Sequence, residues 1–183
     1  MLLEALDLAR VGARAVLIEG EPGVGKTVLW RRALHDASAR GWRVLVTAPA
    51  ASEARLAFAA LGDLLELDAD DALASLPEPQ REALEIALLR REGDLGDGTL
   101  SARMIGVATL GALRALAQPG PLLLAIDDMQ WMDLSSAAAL RFALRRLRDE
   151  QITVLATRRL DHLFPPVPEL SLIHISEPTR QAE

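Results

Sequence analysis

The sequence predicts an α/β fold built on a parallel sheet, and three observations predict it. Short apolar runs of strand length alternate with segments whose apolar residues recur at helical spacing. A Gly-rich turn, residues 20–27 (GEPGVGKT), separates the first apolar run from the first helical segment. A later run, residues 122–126 (LLLAI), passes directly into two acids, Asp127 and Asp128.

The elements follow in order. Residues 15–19 (AVLIE) form the first strand, and residues 26–40 a helix on which Leu29, Ala33 and Ala37 recur. Gly41 ends that helix, and residues 43–47 (RVLVT) have the β-branched, aliphatic character of a buried parallel strand. This completes a βαβ unit.

Residues 49–120 then run without a convincing strand, far longer than a simple crossover needs, and predict three helices. Residues 52–66 place Phe58, Leu61, Leu64 and Leu65 on one face. Residues 78–91 follow the start signals Pro77 and Pro79, with Leu84, Ala87 and Leu88 at helical spacing. Gly93, Gly96 and Gly98 make an acidic loop before residues 100–118, which offer Ile105, Ala108, Ala112 and Leu116. Pro119, Gly120 and Pro121 stop that helix. The strand at 122–126 comes next, then a helix over 135–148 with Leu140, Leu144 and Leu147 inward, and a fourth strand at 152–156 (ITVLA). Three Pro in residues 161–169 exclude a central strand there.

Composition bounds the function. The chain has 183 residues and a net charge of −6, which argues against an extended basic face for nucleic acid or an anionic membrane. It has no Cys, which excludes disulfide frameworks, thiolate zinc sites and Cys nucleophiles. Neither a signal peptide nor a membrane-spanning run is present, so a cytoplasmic location is expected. Asn and Tyr are missing, and one Lys, Lys26, stands against 19 Arg. Where Arg serves as the general cation, a solitary Lys marks a place that needs an ammonium.

That place is the Gly-rich turn, whose pattern is Gly, four residues, Gly, Lys, Thr, between a predicted strand and a predicted helix. Gly20, Glu21, Pro22, Gly23, Val24 and Gly25 would wrap a phosphate chain. Gly23 and Gly25 can turn successive N–H groups inward at a helix N-terminus, where the dipole also favours an anion. Lys26 would reach the β and γ phosphates of ATP, and Thr27 would place a hydroxyl on Mg²⁺. A Gly turn that merely caps a helix is the plainer alternative, and the flanking elements and solitary lysine count against it.

Such a site needs a carboxylate at the carboxyl end of a neighbouring strand. An apolar strand that ends in two acids is costly unless they meet solvent or a cation. Asp127 is expected to hold the metal, and Asp128 to polarise an attacking water. Alternatively the pair is a solvated strand end, with Asp133 capping the next helix. Arg158, after the fourth strand, could sense the γ phosphate; Arg159 reads as a solvated cation. Trp131 suits a packing anchor better than a nucleotide contact, Trp30 and Trp42 read as structural, and His35 and His162 have no partner spacing for metal or triad chemistry.

Residues 170–180 (LSLIHISEPTR) break the compositional bias by bringing two of the chain's seven Ile and one of its three His into a short tail. This string resembles the in-frame translation of a transposon-based sequencing adapter. Residues 170–183 are therefore set apart from 1–169 as non-natural sequence. Without their two Glu and one Arg the net charge is −5.

Together, GEPGVGKT, LLLAIDDMQWMDLSSAAALRFALRRL and ITVLATRR resemble the ATPase core of the STAND class, and within it the large ATP-binding regulators of the LuxR type related to MalT. SEARLAFAALGDLL and LPEPQREALEIALLRRE resemble their helical insert. The likeness runs from about Arg14 to Arg159. It implies an additional-strand, AAA-like P-loop NTPase fold of sheet order 5-1-4-3-2, with Thr157 and Arg158 at the sensor position after strand four. It also implies slow, regulatory ATP hydrolysis, self-association in the ATP state and contact with DNA only through a separate C-terminal domain. Two departures stand out. The Gly-Arg-Glu box near which the family holds adenine is absent before Leu2, and strand five, the helical lid and the DNA-binding end are expected to be missing after Glu169. Three other functions fit the same loop: a generic AAA-like ATPase, a small-molecule phosphotransferase, although the acidic 93–98 loop disfavours it, and a non-hydrolysing interaction scaffold with a structural nucleotide site.

Overall fold

The computed structural model describes residues 14–94, 98–160 and 172–176, the side chains of 98–100 and 172–176 excepted. Its strands are β1 (Arg14–Gly20), β2 (Arg43–Thr47), β3 (Leu122–Ile126), β4 (Ile152–Arg159) and β5 (Leu172–Ser176). Its α-helices are α1 (Lys26–Ala39), α2 (Ala59–Leu65), α3 (Ala69–Ala74), α4 (Glu78–Ala87), α5 (Gly98–Leu116) and α6 (Leu134–Leu144). All neighbouring strands pair in parallel, in the order β2-β3-β4-β1-β5. The first four strands take the expected 1-4-3-2 order.

Alternation along the strands divides the core into two layers. Val16, Ile18, Leu123, Ala125 and Leu155 meet Trp30, Ala33 and Ala37 of α1, together with Trp42. Ala15, Leu17, Leu45, Leu122, Leu124, Ile152 and Val154 face the opposite layer, made by the insert helices, α5 and α6. Every residue of β3 is buried, as a central parallel strand requires. Burying one such Leu stabilises the fold by roughly 1.5–3 kcal/mol.

The structure corrects several expectations. The sheet does not stop at β1: Leu172–Ser176, set aside as tail, pairs with residues 15–19 of β1 as a fifth strand. The open edge of β1 presents unpaired backbone groups, and a short segment rich in Leu and Ile meets that need whatever its origin. Among the described residues, the region between β2 and β3 holds four α-helices rather than three, because α3 and a 3₁₀ turn at Glu66–Asp68 interrupt what reads as loop. Residues 51–58 form turns rather than the start of a helix, and α2 begins only after Phe58, whose φ of 62° is left-handed. The helix expected over 78–91 ends at Ala87, and Leu89 (φ 56°) reverses the chain.

On α1 the inward face is Trp30, Ala33 and Ala37, while Leu29 is 45% exposed. β4 extends to Arg159, because Thr157, Arg158 and Arg159 stay in register with Ile18, Glu19 and Gly20. The Pro-rich residues 161–169, including His162, lie outside the described residues, as do Gly96 and everything before Arg14. Among the described residues no helix is long and apolar enough to cross a membrane.

Candidate phosphate and metal site

The carboxyl ends of β1, β3 and β4 converge at the start of α1, the side of an open parallel sheet where ligands bind. After Gly20 the loop Glu21–Val24 is exposed, and α1 starts at once after Gly25. Gly23 and Gly25 have φ of 82° and 100°, a region closed to most side chains, and an added Cβ would meet nothing within 4 Å at either. These glycines are therefore required by backbone angle and not by space. Gly25 also caps α1 without a side chain, which leaves the helix N-terminus open to an anion.

Lys26 is buried beneath this loop. Its Nζ donates to the carbonyls of Gly20 at 2.9 Å and Glu21 at 2.8 Å. An ammonium has three donors, and these contacts use two of them to aim it along the loop.

Asp127, the first residue past β3, is held from three sides. Its N–H donates to the carbonyl of Thr47 at 3.0 Å. Its Oδ1 accepts from the Thr157 hydroxyl at 2.5 Å and lies 3.4 Å from Thr27 Oγ1. Thr157, fully buried, also accepts the N–H of Asp128 at 2.8 Å. The fold therefore brings Thr27, Asp127 and Thr157 together from three elements, with Lys26 next to Thr27 at the start of α1.

The two oxygen donors, Thr27 and Asp127, suit Mg²⁺, which takes one or two protein oxygens and completes its shell with phosphates and water. Among the described residues there is no cluster of three or more His, Cys, Asp or Glu that could hold a metal alone.

Asp128 sits in a left-handed turn (φ 49°) that opens the 3₁₀ segment Met129–Trp131. Its carboxylate accepts from Gln130 Nε2 at 3.0 Å and from Arg159, whose Nη2 is 2.9 Å from Oδ2. Burial pushes this carboxyl up, but the Arg159 and Gln130 hydrogen bonds and the charges of Arg159 and Lys26 outweigh it and hold the group below its ordinary value. The result is an ionised, already paired carboxylate.

Arg158 is not brought to this cluster. Adjacent strand residues point to opposite faces, so Thr157 turns to Asp127 and Arg158 turns away. There its Nε donates to Glu19 Oε1 at 2.7 Å, both side chains are nearly buried, and Nη1 has no hydrogen-bond partner. Sequence reading missed Glu19 and the Arg159 contact, since one residue of register decides which Arg faces which acid. Trp131 is half-buried in the turn.

Asp133 does cap α6, accepting from Ser136 N–H at 2.8 Å, but it is also buried and accepts from Phe58 N–H at 2.9 Å and Ala60 N–H at 3.2 Å. No local signal marks this second role, because its donors lie more than seventy residues earlier.

Among solved structures the chain is similar to a DNA replication initiation factor (20% identity, TM-score 0.37) and to AMPPCP-bound DnaA from Aquifex aeolicus (19% identity, TM-score 0.37). Each likeness covers 86% of this chain and 36% of the other, so the chain spans about a third of their length. No curated protein matches the sequence. Residues 1–155 match the family described as the AAA ATPase domain, and the chain belongs to that family.

Proposed function

We propose that this chain binds ATP with Mg²⁺ and hydrolyses it slowly, as the nucleotide switch of a LuxR-type transcriptional regulator of the STAND class. The observation that carries the nucleotide reading is Lys26, held under the loop by the Gly20 and Glu21 carbonyls, next to Thr27, whose hydroxyl meets the Asp127 carboxylate that Thr157 holds at the open end of α1. Gly20 to Gly25 cradle the phosphates, Lys26 neutralises the β and γ oxygens, and Thr27 and Asp127 hold the metal, which supplies charge for phosphoryl transfer. Slow turnover is supported by Asp128, whose carboxylate is tied to Arg159 and Gln130 and so is a weak base for water. Arg158 can sense a γ phosphate only by leaving Glu19, which suits a switch better than a fast enzyme.

The regulator reading draws support from the helical insert between β2 and β3 and from the resemblance of its sequence. In that reading the ATP state self-associates, DNA is met only through another domain, and the protein works in the cytoplasm. The tail from Leu170 onward is adapter translation, and β5 stands in for a natural fifth strand. Reading the uninterrupted gene tests both points: a helix-turn-helix downstream supports the regulator, and a genomic LSLIHISEPTR overturns the adapter.

Titration of the protein with MgATP tests the core claim. Saturable binding weakened at least tenfold by Lys26→Ala is expected, and equal affinity in the two proteins overturns it.

A further inference from the structure

We propose that Asp133 and Ser136 are positioning residues that lock the helical insert onto the acidic end of β3, so that α2 and the Asp127–Asp128 segment move as one body when nucleotide binds. The inference rests on the MgATP reading above. Its basis is where the first N–H groups of α2 go. A helix start leaves such donors without intrahelical partners, and buried ones need acceptors. Those of Phe58 and Ala60 are taken by the two carboxylate oxygens of Asp133, at 2.9 and 3.2 Å, and that of Leu61 by Ser136 Oγ at 2.9 Å. The same Asp133 carboxylate caps α6 through Ser136 N–H at 2.8 Å. One buried carboxylate and one buried hydroxyl thus terminate two helices that lie far apart in sequence.

The joint is short and stiff on the side of the candidate site. Four residues separate Asp128 from Asp133, three of them in the 3₁₀ turn Met129–Trp131. A second link runs from the other end of α2, where Thr47 Oγ1 donates to Asp63 at 3.4 Å, and the Thr47 carbonyl accepts the N–H of Asp127. Helix α2 is therefore tied to the metal carboxylate from both sides. A shift of Asp127 or Asp128 on engaging phosphate would either break buried charge-assisted hydrogen bonds or carry the insert along, and the second is cheaper. The insert becomes the reporter of the nucleotide state.

The test uses the whole chain, with wild type, Asp133→Asn and Ser136→Ala. Asp133→Asn places an amide donor against N–H donors; Ser136→Ala only removes one oxygen, and keeps the question open to experiment where the first variant does not fold. Three readouts are taken: MgATP affinity, kcat and KM for hydrolysis, and hydrogen exchange of the Phe58, Ala60 and Leu61 amides with and without MgATP. In wild type, MgATP is expected to slow exchange of these amides at least threefold. In the variants that response disappears, and kcat per folded molecule falls roughly tenfold while KM stays within twofold, the pattern of lost transition-state support and not of weaker ground-state binding. A variant that keeps the MgATP-dependent protection, or loses affinity and kcat in proportion to a lower melting temperature, overturns the joint. Wild type that binds no MgATP overturns the nucleotide reading itself, and the joint's role with it.

Discussion

The hydroxyl of Thr157 donates to Asp127 at 2.5 Å, and the same oxygen receives the N–H of Asp128 at 2.8 Å. One side chain on β4 thereby sets both the carboxylate and the backbone turn of the neighbouring strand. Thr157→Val keeps the shape and removes both bonds. A hydrogen bond to a charged group contributes about 1.5–3 kcal/mol, so MgATP affinity should fall by at least tenfold. Isothermal titration of the two proteins measures it, and a change within twofold would show that Asp127 needs no such support.

The loop glycines predict an order of damage. Gly25→Ala forces a side chain to φ 100°, and Gly23→Ala to φ 82°, each at a cost of about 1–2 kcal/mol in strain. At Gly20 the new Cβ would meet Val24 Cγ1 at 2.9 Å, yet Val24 is 40% exposed and can swing aside. Chemical denaturation should rank Gly25→Ala and Gly23→Ala clearly below Gly20→Ala, with phosphate-chain binding lost in the same order. An equally stable Gly25→Ala protein would mean that the loop relaxes out of its cradle.

Strands with an unbroken apolar run were legible to the residue: Arg43–Thr47 and Leu122–Ile126 stand where Gly41 and the 119–121 turn bound them. The Gly-rich turn between β1 and α1 was legible for the same reason, since its pattern is complete within eight residues. What failed was whatever depends on a distant partner. Phe58 ends the turns before α2 because Asp133 takes its N–H from across the fold, and periodicity over 52–66 cannot show that. Arg158 and Arg159 differ only in the face they present, and the positions of Glu19 and Asp128 decide their roles. On α1, Leu29 and Trp30 are neighbours, and the larger ring takes the interior.

Asp128 and Arg159 predict an acid-dependent stability term. The carboxyl lies below its ordinary value of 3.8, so the folded state holds its proton less tightly than the unfolded one. Its contribution is complete above that ordinary value and is lost as pH falls through the folded-state value. Both groups are partly exposed, so the effect is below about 1 kcal/mol and weakens in salt. Urea denaturation at neutral pH should show Asp128→Asn slightly less stable than wild type, and the gap should close below pH 3.8. A gap that persists at low pH would mean that the amide disturbs the turn and not the charge pair.

For Glu19 and Arg158, stability and the sensing role proposed for Arg158 predict opposite effects of one substitution. Both side chains are about nine-tenths buried, and removing one partner of such a pair costs roughly 3–5 kcal/mol because a buried charge is left alone. Glu19→Gln should therefore destabilise the fold, while joint replacement by Glu19→Leu and Arg158→Met should recover much of the loss. The nucleotide readout moves the other way. While Arg158 is held by Glu19, a ligand that needs this guanidinium binds only to the fraction of molecules in which the pair has opened. MgATP, with its γ phosphate, bears that penalty and MgADP does not. Glu19→Gln should thus raise the ratio of MgATP to MgADP affinity several-fold, measured by parallel titrations below the variant's melting temperature. An unchanged ratio with lowered stability would assign the pair to the core and remove Arg158 from the switch.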